Sequence, residues 1–307
     1  MGTGPFAAPL LRLLHTGSHD VCQVVCRPPR GRRGEPPAPI RQTAEQLGLP
    51  LWMPESANLP ESQTRLKELG ADLLVVCDYG EILKDATLAT TRLGGVNLHG
   101  SLLPKYRGAA PVQWAVLSGD EVTGATVIQM TPGLDAGPVL GRVETPIDPE
   151  ETAGELEERL APIGAELTAQ VVDQLAAGAA PPEPQDRSLV SKAPRLQKSD
   201  GAIDWSLPAQ QIKNRVRALQ PWPRTFTFWR DKRGALQRLN VDRVAVVDGS
   251  GKPGEVLAVG DRLVIATGEG ALEVLNLQPA GKRRMAAEEW LRGAPLAVGD
   301  LLVPGEA

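Results

Sequence analysis

The stretch ADLLVVCDYGEILKDATLATTRLGGVNLHGSLLP, residues 71–104, decides the fold class. Residues 73–77 form a near-continuous apolar run, the mark of a strand buried on both faces. Residues 95–98 form a second, shorter run that ends in a cluster of polar groups. Toward the amino end, residues 21–26 read as another strand. Residues 5–14, 38–47 and 61–69 carry apolar side chains at helical spacing, the last two stopped by Gly48 and Gly70. Toward the carboxyl end, residues 109–117 read as a helix and residues 125–130 as a β-branched strand. Residues 139–145 read as its hairpin partner, and 152–177 as a long amphipathic helix. Strands alternating with helices predict a doubly wound α/β layer on a mostly parallel sheet.

The texture then changes. Residues 178–184 are rich in Gly, Ala and Pro, and 187–201 are polar without periodicity. One helix, 209–219, follows. Short strands at 225–229, 239–247, 254–259, 262–266 and 272–277 are separated by Asp-Gly and Gly-rich turns, which predicts a small OB-like β-barrel. The expected domains are 1–187 and 203–307, joined by a linker over 188–202.

Composition narrows the class. The chain has 307 residues, 42% hydrophobic and 23% charged, ordinary for a folded globular protein. No apolar run is long enough to cross a bilayer, and the first nine residues do not read as a signal peptide. Three cysteines and three histidines offer neither a disulfide framework nor a zinc set, so no metal is expected. A cytoplasmic monomer without a membrane partner is the expectation. The net charge of -4 is uneven: residues 200–307 carry 15 Lys+Arg against 13 Asp+Glu, while 1–199 carry 18 against 24. Arg27, Arg30, Arg32 and Arg33 crowd one Pro/Gly-rich loop, which composition alone reads as a solvated surface.

The densest polar constellation is Asn97-Leu98-His99-Gly100-Ser101-Leu102-Leu103-Pro104, at the end of a strand. Ligands of open α/β sheets bind outside the carboxyl ends of strands. Residues i and i+2 of a strand share a face. A side-chain amide and an imidazole converging there could donate to a developing oxyanion, and the imidazole could move a proton. The alternative is a histidine merely satisfied at a strand end. Asp135, in Gly133-Leu134-Asp135-Ala136-Gly137, is either a turn residue or the carboxylate that orients His99. A serine triad fits poorly, since Ser101 lacks the G-x-S-x-G elbow, and Gly2-Thr3-Gly4 is no dinucleotide fingerprint. The segments Pro221-Trp222-Pro223-Arg224 and Lys282-Arg283-Arg284 could meet phosphates or be a packed Trp and a solvated turn.

These residues resemble the methionyl-tRNA formyltransferases, a branch of the folate-dependent formyltransferases. The resemblance rests on residues 97–104, Arg107-Gly108-Ala109-Ala110-Pro111 and residues 133–137. It continues through Ile203-Asp204-Trp205, Pro221-Trp222-Pro223, Gly254-Glu255-Val256 and residues 277–282. It implies a formyltransferase fold, Rossmann-like, and a tRNA-binding barrel. It implies transfer of a formyl group from 10-formyltetrahydrofolate, as co-substrate, to initiator methionyl-tRNA. It implies Asn97, His99 and Asp135 as catalytic residues, and Ser101, Leu102, Leu103 and Pro104 as the folate-binding segment. Phe6 would lie near the methionyl pocket, and Arg32 or Arg33 would meet the acceptor stem. The first half alone leaves open a small amine or water as acceptor, and an inactive RNA-binding remnant is a third possibility.

Three features depart from the resemblance. No strand precedes the Gly2-Thr3-Gly4 turn, so the opening central strand is expected to be missing from a chain with a short start. The arginine loop is short and proline-rich. Residues 77–81, Cys-Asp-Tyr-Gly-Glu, carry more charge than the apolar-Tyr-Gly pattern expected there.

Overall fold

A computed structural model describes residues 1–29, 38–231 and 233–304. The chain divides into two compact units. One comprises Met1–Val112, Val122–Ile147 and Glu155–Pro194; the other comprises Gln113–Glu121, Asp148–Gly154 and Arg195–Ala307.

The first unit opens with α1 (Ala7–Thr16), whose Ala7, Leu10 and Leu11 are buried. Then come β1 (Val24–Val25), α2 (Pro39–Gln46), β2 (Leu51–Trp52), α3 (Pro60–Glu68), β3 (Leu74–Cys77) and α4 (Asp85–Leu88). Both α2 and α3 start on a proline, whose fixed φ suits the first helical turn and whose missing N–H costs nothing there. Next are β4 (Gly95–His99), β5 (Arg107–Gly108), β6 (Val122–Gln129), β7 (Val139–Pro146), α6 (Ala153–Ala176) and β8 (Lys192–Ala193), while α5 (Pro111–Ser118), between β5 and β6 in the chain, belongs mostly to the second unit. The main sheet has the order β3-β4-β6-β7. β3 and β4 run parallel, with Leu74 opposite Gly95 and Cys77 opposite Leu98. β4 meets β6 antiparallel, His99 opposite Thr126, and β6 turns back into β7 as the predicted hairpin. The α/β layer is therefore as expected, but the sheet is mixed. A short connection can return a strand only antiparallel, and that is how β7 closes the edge.

Met1 to Thr3 thread between β1 and β3. Gly2 N donates to Val25 O at 2.9 Å, Cys77 N to Met1 O at 3.0 Å, and Thr3 N to Asp78 O at 3.0 Å. The Met1 ammonium donates to Val75 O at 2.7 Å, where a ladder N–H would otherwise sit. Burial lowers that ammonium to about 6. Beyond Met1, a cavity of about 480 Å³ continues between the two strands, walled by Leu10, Leu14, Val24, Val25, Leu74 and Val75.

The excess charge at 77–81 has local reasons. The Glu81 carboxylate accepts Ala57 N and Asn58 Nδ2, both at 3.0 Å, and the Ser56 hydroxyl. It is the anchor of the 56–58 loop.

The second unit contains α7 (Ala209–Ala218), β9 (Thr225–Arg230), β10 (Leu236–Val247), β11 (Val256–Ala258), β12 (Leu263–Ala266), β13 (Ala271–Pro279), β14 (Met285–Ala286) and α8 (Ala287–Leu291). Its antiparallel sheet has the order β11-β12-β13-β10-β9, with β14 on β13. Register shifts around Arg243 in β10 add twist, and the sheet curls as the barrel reading requires. Ile212 of α7 is buried with Leu239, Leu263, Ile265, Leu272 and Leu277 in one core. The chain's last described residues bridge both sheet edges: Val303 pairs with Phe228 beside β9, and Leu301 with Glu255 beside β11.

Candidate active site

β4 ends between β3 and β6, and Asn97 and His99 share one face of it. Asp135, on the loop between β6 and β7, reaches both. Asn97 Nδ2 lies 3.5 Å from Asp135 Oδ1, and His99 Nδ1 lies 3.7 Å from Asp135 Oδ2. Gly108 N fixes the same carboxylate, donating to Oδ2 at 2.9 Å. The His99 and Asp135 side chains are only 6% and 12% exposed, so little water competes at the cluster. The three residues singled out in the sequence are thus brought together.

Two glycines make this convergence sterically feasible. A Cβ on Gly137 would lie 1.7 Å from Gln129 O, so the loop folds back onto β6 only without a side chain there. Gly108 has φ +133°, and a Cβ on it would lie 2.4 Å from Ala193 O. Gly137 thus serves packing against β6. Asp135 itself takes φ +47°, an uncommon setting for a non-glycine residue and one that clusters at functional sites.

The imidazole has a defined tautomer. His99 Nε2 is 2.8 Å from the Tyr106 carbonyl. A carbonyl only accepts, so Nε2 carries the hydrogen. The neutral ring then presents an unprotonated Nδ1 toward Asp135. Tyr106 carries no signal in the sequence for this role, because its backbone does the work.

Segment 101–104 is locked under the site. Ser101 Oγ donates to Lys105 O at 2.7 Å. Thr126 Oγ1 donates to Ser101 O at 2.7 Å and accepts Leu103 N at 3.1 Å. Ser101 and Leu103 are buried, whereas Leu102 and Pro104 remain half-buried and able to touch a ligand. Phe6 is buried; its ring tip would lie 3.7 Å from a Cβ on Gly100. It therefore sits beside the residue that follows His99. Arg32 and Arg33 lie outside the described residues. Among the described residues, no three His, Cys, Asp or Glu side chains come together as a metal set. Cys22 is exposed, and Cys26 and Cys77 are buried.

Two carboxyl groups with raised pKa values were not singled out from the sequence as site residues. Asp78 follows β3 and is pressed against Gly4, whose Cβ would lie 1.4 Å from Oδ2. Desolvation there pushes it up to about 6, although the residue as a whole is exposed. Half-buried Glu157 on α6 is pushed up to about 7 by burial, then by the charge of Asp78.

In the second unit, buried Asp242 gathers cations. It accepts Arg224 Nη2 at 2.7 and 2.8 Å and Arg284 Nε at 2.8 Å. Arg238 lies over the Phe226 ring at 3.7 Å. These guanidiniums are held in place before any ligand arrives.

Comparison with known proteins places the chain. A formyl transferase family model matches residues 1–172, and a formyl transferase C-terminal domain model matches residues 195–295. Methionyl-tRNA formyltransferase of Citrifermentans bemidjiense is 44% identical over 306 residues, covering 98% of this chain and 95% of that protein. The chain belongs to the methionyl-tRNA formyltransferase family. A second family member, from Acidothermus cellulolyticus, is 44% identical over 314 residues, covering 97% of each chain. The fold is also that of an N-formyltransferase from Helicobacter canadensis, solved with folinic acid and dTDP-3-aminofucose. The TM-score is 0.67 at 16% identity, over 91% of this chain and 97% of that one. The formyltransferase family thus accounts for both units, including the curled antiparallel sheet of the second.

Proposed function

We propose that this chain transfers the formyl group of 10-formyltetrahydrofolate to the free α-amine of initiator methionyl-tRNA, with Asn97, His99 and Asp135 as its catalytic residues. The observation that carries the assignment is their convergence at the carboxyl end of β4, with Nδ1 the one ring nitrogen left for chemistry.

The reaction forms a bond between the amine nitrogen and the formyl carbon and breaks the bond from that carbon to N10. The electron pair of the broken bond leaves on N10. One amine proton must depart, and N10 must gain one. His99 Nδ1 is placed to accept the first and return it. Asp135 beside it stabilises the ring while it is cationic. The formyl oxygen gains negative charge at the tetrahedral stage, and Asn97 Nδ2 is the donor that would meet it. Leu102 and Pro104 offer an apolar bed for the folate ring system. Phe6 supplies an apolar wall for the methionyl side chain.

A macromolecular acceptor fits better than a small amine or water. The second unit holds the fixed guanidiniums of Arg224, Arg238 and Arg284 and the exposed Lys282 and Arg283, all suited to phosphates. Arg32 and Arg33 add charge suited to the acceptor stem. The enzyme would act as a cytoplasmic monomer, where charged initiator tRNA is made. Among the described residues, no helix is long and apolar enough to cross a membrane. The test is formylation of charged initiator tRNA by the Asn97→Ala, His99→Ala and Asp135→Asn variants. Turnover should collapse while folate binding persists. Near-normal turnover in His99→Ala would refute the assignment.

A further inference from the structure

We propose that residues 183–193, whose last part falls in the segment read as a linker in the sequence, form a strap that positions the catalytic pair, with Gln185 and Ser191 as positioning residues. The proposal rests on the reading of His99 and Asp135 as catalytic.

The strap is tied at both ends to the first unit. Glu183 pairs with Val139 of β7 through reciprocal bonds of 2.7 and 2.8 Å. β8 pairs parallel with β5, Arg107 opposite Lys192. Between these ties, two side chains reach the site. Gln185 Nε2 donates to Asp135 O at 2.9 Å and to Gly137 O at 2.7 Å. It thereby clasps the carbonyls on either side of Ala136. Ser191 Oγ accepts Tyr106 N at 2.8 Å. Tyr106 also has a left-handed backbone, φ +62°, and its carbonyl is the one that fixes His99 Nε2. One segment therefore braces the backbone behind the carboxylate and the backbone behind the imidazole.

Gln185 can hold only one orientation. Its amide oxygen accepts Arg107 Nε at 3.1 Å and Nη2 at 2.7 Å. A flipped amide would set its oxygen against two carbonyls and its NH₂ against a guanidinium, which has no acceptor. Arg107 thus locks Gln185, and Gln185 locks the backbone at Asp135. The Asp135 contacts at 3.5 and 3.7 Å are long. A small drift of the loop would break them, and misplacement by about 1 Å can cost about 100-fold in rate.

The test is a double-mutant cycle on the full chain, with methionyl-tRNA and 10-formyltetrahydrofolate. The forms are wild type, Gln185→Ala, Asp135→Asn and both together. We expect Gln185→Ala to lower kcat by roughly 10- to 100-fold. The KM for 10-formyltetrahydrofolate should stay within about 2-fold and melting should remain cooperative. In the Asp135→Asn background the same change should cost little more, because its effect passes through Asp135. Arg107→Lys, which keeps the charge but loses the fork, should lower kcat in the same direction by less, and stands in if Gln185→Ala does not fold. The strap proposal is overturned if Gln185→Ala, and likewise Arg107→Lys, keeps wild-type kcat while Asp135→Asn is crippled. It is also overturned if the Gln185 cost is fully retained beside Asp135→Asn. Wild-type turnover in Asp135→Asn would instead remove the catalytic assignment on which it rests.

Discussion

Asn97 is the side chain whose chemical task is narrowest. In the proposed mechanism it offers an amide N–H to a charge that exists only as the reaction proceeds, so Asn97→Ala should reduce kcat by about 100- to 1,000-fold with little change in folate KM. Steady-state kinetics at saturating methionyl-tRNA would read this directly. Its pairing with His99 was legible from strand alternation, because i and i+2 on one short strand must share a face. Asp135 was legible as an option, since an Asp between glycines is equally a turn. The supports of these residues were not legible. Tyr106 acts through a carbonyl and Thr126 through a hydroxyl that any buried threonine has. Glu157 permits a prediction about pH. Its folded pKa of about 7 exceeds its ordinary value, so the folded state holds a proton that the unfolded chain has released. That contribution is fully present below about pH 4.5 and is lost as pH rises through 7. Tm should fall across that interval, and Glu157→Gln should flatten the fall in a series of thermal melts.

At the scale of elements, the longer helices and strands of both units followed from periodicity and turn chemistry, whereas the short β2, α4, β14 and α8 did not. The exceptions are physical. β5 and β8 are two residues each, too short for any pattern, and the antiparallel closing tail at 301–303 lies beyond the last periodic strand. The first sheet shows a different limit. That Met1 would fill a ladder position between β1 and β3 with its ammonium was not legible. The cavity beyond it is bounded by apolar side chains of both strands and of α1. An extended Val-Ile-Val-Ile segment fused ahead of Met1 should pair between those strands and replace a buried charge by a peptide N–H. Each newly paired backbone group contributes on the order of 1 kcal/mol. Differential scanning calorimetry should show Tm raised by several degrees, and a Gly-Ser-Gly-Ser fusion should leave it nearly unchanged. Equal behaviour of the two fusions would mean that the slot does not accept a strand.

For the molecule as a whole, two units divide the work. In the proposed function the first carries the reacting groups, and the second carries a curled sheet whose Asp242 pre-orders Arg224 and Arg284. The charge asymmetry between the two parts of the chain was visible in the sequence, whereas the buried carboxylate that organises the cations was not. Arg238→Ala should weaken methionyl-tRNA binding without changing kcat. It should also lower the slope of log affinity against log salt by nearly one if that guanidinium meets a phosphate. Filter binding from low to moderate salt would show it. The central claim is that β4 and the Asp135 loop form a formyl-transfer site acting on the amine of methionyl-tRNA. The most direct measurement is single-turnover formylation of charged initiator tRNA by the intact chain and by His99→Ala, with uncharged tRNA as control. Formyl-methionyl-tRNA formed by the wild-type chain alone, and only from charged tRNA, is the predicted result; equal rates for the two proteins would contradict it.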